Sequence, residues 1–82
     1  MDQTFRDQFD ALLEKYTELL LGESNDELIE KIKMWALYTY IAKSMPDLAK
    51  HWNALYPNGK EEMKKLIFEI KHMNDLHREA KK

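Results

Sequence analysis

The sequence predicts an all-α fold, a compact antiparallel helical bundle of three long helices and one short helix. Apolar residues recur at three- and four-residue steps through every long segment, the period of one helix face. Short stretches of helix-stopping and helix-starting residues stand between those segments, around Gly22, Pro46 and Pro57. The connections are brief, so consecutive helices pack as neighbours, and no linker divides the chain. Residues 1–82 are expected to form a single helical domain.

The first helix is expected over residues 3–21, where Phe5, Phe9, Leu12, Leu13, Tyr16, Leu19 and Leu20 fall on one stripe. Gly22 follows, where a left-handed residue usually closes a helix. Ser24 and Glu27 read as a capping box that opens a second helix over 25–43. Leu28, Ile29, Ile32, Trp35, Ala36 and Thr39 form one of its faces. Pro46 stops it and starts a short third helix over 46–56, with Ser44 and Asp47 as a weaker cap and Leu48, Trp52, Leu55 and Tyr56 inward. Pro57-Asn58-Gly59 reads as a turn. The fourth helix is expected over 60–79, with Met63, Leu66, Ile67, Ile70 and Met73 on one stripe, continued by His77. Phe68 points away from that stripe, and Lys81-Lys82 brings positive charge to the helix end.

Composition narrows the function. The chain has no cysteine, which removes disulfides, thiolate zinc sites and thiol nucleophiles, and leaves self-association as the ready source of extra stability. Its acidic start has no apolar signal-peptide core, and the apolar run from Met34 to Ala42 is too short to span a bilayer. A cytoplasmic protein with no membrane partner is expected. The net charge of −2 is unevenly spread: residues 1–30 carry −7 and residues 31–82 carry +5. Mixed charge of this kind suits solvated faces better than a nucleic-acid footprint.

Few residues offer chemistry. Glu69 and His72 have the spacing of a di-iron ligand pair, but no second such pair exists, and both lie off the apolar stripe. His72 and His77 lie too far apart around the helix to share an ion, and His77 reads as a core-edge histidine. Ser24 and Ser44, the only serines, are both spoken for as caps. Asn58-Gly59-Lys60 stands ahead of a helix N-terminus, but Glu61 and Glu62 oppose an anion there. No catalytic residue, metal site or cofactor is expected, and the chain is not expected to be an enzyme.

The second helix carries more apolar surface than one core needs. Met34, Leu37, Tyr38 and Ile41 form a second face, opposite the first. This face is either covered by helices three and four, making helix two central, or it meets another chain. Met34, Leu37, Tyr38 and Ile41, together with Phe68, are the candidate interface, and a two-fold homodimer uses one such patch twice. The expected function is a non-enzymatic protein–protein interaction module that forms a homodimer, with a further protein partner open. The alternative is a DNA-binding regulator with a helix–turn–helix-like element around residues 34–56, presenting Lys43, Lys50, His51 and Asn53 outward. That element lacks the arginines of base readers, so nucleic acid is the weaker expectation.

Phe9-Asp10-Ala11-Leu12-Leu13-Glu14-Lys15-Tyr16, Lys33-Met34-Trp35-Ala36-Leu37-Tyr38 and Lys43-Ser44-Met45-Pro46 resemble the YusU-like family of short proteins of unknown function from spore-forming bacteria. The resemblance covers most of the chain. It implies a bacterial, cytosolic protein and supplies no activity, ligand or partner.

Overall fold

The structure is a computed structural model that describes residues 2–80, so Met1 and the Lys81-Lys82 end lie outside the described residues. Its elements are α1 (Gln3–Leu21), α2 (Asp26–Ser44), α3 (Pro46–Leu55) and α4 (Pro57–Ala80). This is the expected helical bundle of three long helices and one short one.

Local chemistry sets each boundary. The Asp2 carboxylate accepts from the Thr4 N–H at 3.3 Å and opens α1. Gly22 closes it at φ 90°, donating its N–H to the Glu18 carbonyl at 2.8 Å. A side chain at Gly22 would strain that backbone and lie 2.7 Å from Nδ1 of His77, which packs over the helix end. Asn74 of α4 donates to the Leu20 carbonyl at 2.8 Å, satisfying one of the acceptors that the end of α1 leaves open.

The cap of α2 differs from the expected Ser24 and Glu27 box. The helix begins one residue later, so the extended Asn25 takes the cap position and accepts from the Leu28 N–H at 2.9 Å. Glu27 instead reaches forward to Lys31 at 3.4 Å. The Ser24 hydroxyl is left buried without a partner. Asn25→Ala is therefore expected to cost about 1 kcal/mol. Ser24→Ala removes an unsatisfied hydroxyl and is expected to be neutral or to stabilise by up to about 1 kcal/mol. Urea denaturation of both variants checks the assignment, and the reverse order would restore the serine cap.

Two single residues, Met45 and Tyr56, join α2 to α3 and α3 to α4. Each stands before a proline that occupies the first helical position, where the missing N–H costs nothing. Ser44 is no cap: its hydroxyl donates back to the Tyr40 carbonyl at 2.7 Å. Pro57-Asn58-Gly59 is the first turn of α4 rather than a separate loop, and the Tyr56 carbonyl accepts from the Lys60 N–H at 2.9 Å. Gly59 does not have positive φ. It is small because the Trp52 ring lies 3.0 Å from where a Cβ would stand.

The core is small and lies toward one end. Leu21, Leu28, Ile32, Leu66 and Ile70 are buried, and Leu20, Trp35, Met63 and Met73 pack against them. Helix α2 is central and touches all three other helices. It runs antiparallel to α4, with Lys31 beside Glu69 and Met34 near Met63. It also runs antiparallel to α3, with Tyr38 beside Trp52 and Ile41 near Ala49. The expected α4 stripe is the buried one, with His77 half-buried at its end.

The expected α1 stripe is split. Leu13, Thr17, Leu20 and Leu21 face the bundle, with the fully buried Thr17 hydroxyl donating to the Leu13 carbonyl at 2.7 Å. Phe5, Phe9, Leu12, Tyr16 and Leu19 are exposed. Leu48, Leu55 and Tyr56 are likewise exposed rather than inward, and on α3 the buried position is Ala49. The result is a flat molecule, 39 × 36 × 21 Å, with a radius of gyration of 14.6 Å. A close-packed monomer of this length has about 12 Å.

Lys31 ties α2 to α4. Its ammonium donates to Glu69 at 2.7 Å, and that bond, with help from Glu27, raises its pKa above the ordinary 10.5 despite some desolvation. A raised lysine pKa stabilises the fold fully below the unfolded value and loses that contribution as pH rises through the folded value. The stability difference between the parent and Lys31→Met is therefore expected to be flat from pH 7 to 9 and to shrink above the ordinary lysine pKa. Thermal melts across alkaline pH check this, and a difference that grows there would contradict it.

Candidate protein interface

A groove of about 300 Å³ opens between α2, α3 and the start of α4. Met34, Leu37, Tyr38 and Ile41 of α2 form one wall, Leu48, Ala49 and Trp52 of α3 the other, and Met63 of α4 closes the end. The short third helix explains why it stays open. Its 10 residues span about 15 Å, roughly half the length of the 19-residue α2. Helix α3 therefore covers only part of the second face, leaving Leu37 63% exposed and Met34 51% exposed.

Four of the five candidate interface residues thus come together. Phe68 does not: it lies on the side of α4 opposite the buried Leu66 and Ile70, 71% exposed and stacked on His72 at 6.2 Å. Leu48 and Trp52 were expected inside a core, and they line the groove instead, joined by Met63 at the margin of the core. Their helical spacing marked them as apolar-face residues, but nothing in it said how far α3 would cover α2.

Tyr38 fixes the walls to each other. Its hydroxyl donates to Oδ1 of Asn53 at 3.1 Å, and its ring meets Trp52 at 5.9 Å. Trp52 in turn meets Tyr56 at 6.0 Å. Asn53 is consequently turned inward rather than presented outward, so the helix–turn–helix reading loses a base-reading side chain. Lys43, Lys50 and His51 remain exposed. The groove is lined by hydrocarbon, thioether, indole and phenol groups, and the phenol is already hydrogen-bonded. Such a surface gains by losing water, the chemistry of a docking face.

A second apolar face is the exposed row on α1. Phe5, Phe9, Leu12, Tyr16 and Leu19 alternate four- and three-residue steps, the spacing of a coiled-coil seam. The chain exposes 6612 Å², against about 5,200 Å² for a typical folded monomer of 9.9 kDa.

The Glu69 and His72 pair is divided, since Glu69 holds Lys31 while His72 stacks on Phe68. Among the described residues no group of three or more His, Cys, Asp or Glu side chains is placed to hold a metal. Nor, among them, is any helix long and apolar enough to cross a membrane.

A family model described as a protein of unknown function (DUF2573) matches residues 3–80. The chain is 63% identical over 78 residues to Uncharacterized protein YusU of Bacillus subtilis (strain 168), a match covering 95% of this chain and 82% of that protein. No solved structure matches. The segments that resemble the YusU-like family thus lie within a match that runs almost end to end, and the chain belongs to the DUF2573 family of proteins of unknown function.

Proposed function

We propose that this chain is a non-enzymatic helical interaction module that self-associates through the second face of α2. One observation carries the reading: an apolar groove, walled by Leu37, Ile41 and Trp52, stands open on a chain with about 1,400 Å² more surface than its mass requires. Exposed apolar grooves are among the features that mark a contact with another chain. If the excess were covered by a second copy, each partner would bury about 1,400 Å² and the pair about 2,800 Å², within the range of obligate homodimers.

Leu37→Glu with Ile41→Glu tests it. Each carboxylate would have to be desolvated on the contact face, so the variant is expected to be a helical monomer where the parent is a dimer. Light scattering behind a sizing column gives the mass, and circular dichroism reports the fold. A folded variant that keeps the parent's dimer mass would overturn the reading. So would a parent that is a monomer at every loading concentration. Because Ile41 is half-buried, Leu37→Glu alone provides the milder version. Unfolding of that single variant would show the face to be internal core.

A further inference from the structure

We propose that the groove is filled by α1 of a second copy, and that the exchange is reciprocal. The Phe5, Phe9, Leu12, Tyr16 and Leu19 row of each chain lies in the α2–α3 groove of the other, twice, about a two-fold axis. This rests on the self-association reading and names the element that occupies the groove.

The row has the form of a helix that docks in a groove. Its residues repeat at four, three, four and three, so they stand in line along one side of α1 for about 21 Å. The face that α1 gives to its own bundle is a different one, centred on Thr17 and Leu21, the residues of α1 that are buried. The seam is thus largely open within the chain: Phe5 is 51% and Leu12 60% exposed, while Tyr16 stands beside Trp35 and Tyr40 of α2. Phe5 and Phe9 already pack on each other, ring centroids 6.4 Å apart, and present a single aromatic ridge. The groove offers what such a ridge fits, an apolar floor with aromatic and methionine walls.

Charge and coverage together separate three ways of pairing two copies. The stretch that lines the groove, residues 34–63, is neutral, with Lys43, Lys50 and Lys60 against Asp47, Glu61 and Glu62, whereas α1 carries Asp7, Asp10, Glu14 and Glu18 against Arg6 and Lys15. Seam against seam therefore sets two acidic helices together, and the crossed arrangement avoids that by placing α1 on a neutral groove. It also covers both exposed apolar faces of both chains in one closed assembly, whereas either like-with-like pairing leaves one face of each chain in water.

Because the chain has no cysteine, single introduced thiols read the geometry directly. Leu12→Cys and Leu37→Cys are made on separate chains, one carrying a size tag, then mixed, equilibrated and oxidised. Mass spectrometry identifies the linked peptides. The crossed arrangement is expected to give the Leu12→Cys to Leu37→Cys link between chains in at least about tenfold excess over either like-with-like link.

A predominant link between two Leu37→Cys chains would overturn the crossing while leaving self-association through α2 intact. A predominant link between two Leu12→Cys chains would overturn both, since α1 would then be the contact. A monomer mass for the unmodified chain would likewise remove both. Leu12→Glu gives a second readout. It leaves the groove untouched, yet under the crossed arrangement it is expected to convert dimer to folded monomer. A Leu12→Glu variant that remains a dimer would overturn the crossing.

Discussion

Ile32→Ala is expected to lower the stability of the chain by about 3–4 kcal/mol, the largest effect of any single truncation of an aliphatic side chain. Ile32 is 0% exposed, at the point where α2 meets the buried side chains of α1 and α4. A domain of this length has a total stability of about 4–12 kcal/mol, so the loss is a large fraction of the whole. Few neighbours can move in to fill the space, because among the described residues the buried core beside it is Leu21, Leu28, Leu66 and Ile70, with Leu20, Trp35, Met63 and Met73 half-buried at its margin. Urea denaturation at one fixed protein concentration measures it, since association would make stability concentration-dependent. A loss below about 1 kcal/mol would mean that α1 and α4 collapse onto the cavity and that the small core is softer than its burial implies.

Trp52→Ala is expected to cost about 2–4 kcal/mol, somewhat below a fully buried tryptophan because the ring is half-exposed at the groove. The indole touches three parts of the fold: Tyr38 of α2 at 5.9 Å, Tyr56 at the joint at 6.0 Å, and the backbone at Gly59 of α4. Without it α3 keeps the Tyr38–Asn53 hydrogen bond but loses most of the surface that holds it down. Trp52→Phe retains a ring there and is expected to lose less than about 1.5 kcal/mol. Trp35 is the only other tryptophan, so its fluorescence in the Trp52→Ala chain reports whether the α1–α2–α4 core survives the release of α3. Loss of the native Trp35 signal in that chain would mean that α3 and the core unfold as one unit.

Much of the fold was legible in the sequence. The α4 stripe from Met63 to His77, the end of α1 at Gly22 and the break at Pro46 each have one strong physical reading, and each stands where the pattern put it. The errors fall where two readings share the same residues. Ser24 and Asn25 are both good caps, and only the frame of the following turn chooses between them. Proline before Asn-Gly suits a turn, but proline also suits the first position of a helix, and α4 takes the second option. Periodicity gave the width of the apolar arc on α1 without saying how much of it this chain would cover. Thr17 is the instructive residue: it is polar, fully buried, and acceptable there because its hydroxyl bonds back to Leu13. The second face of α2 was visible as a surplus of apolar residues. That Leu48, Trp52 and Met63 would shape it into a groove required knowing that α3 stops short.

The two joints beside α3 bear on how a partner would arrive. Met45, at φ −138° and ψ 70°, and Tyr56, at φ −128° and ψ 73°, hold nearly the same backbone conformation. The proline that follows narrows the choices of each, and their N–H groups donate to Ile41 at 2.7 Å and Trp52 at 2.9 Å. Neither joint has slack, so α3 stands at a set angle and the groove has its walls before anything enters it. Docking then loses little conformational entropy on the receiving side. Encounter is governed by orientation, at about 10⁵–10⁷ M⁻¹s⁻¹ for neutral surfaces and faster where opposite charges steer. Under the proposed crossed arrangement, the cost of association would then fall on orienting two preformed apolar faces rather than on building the groove.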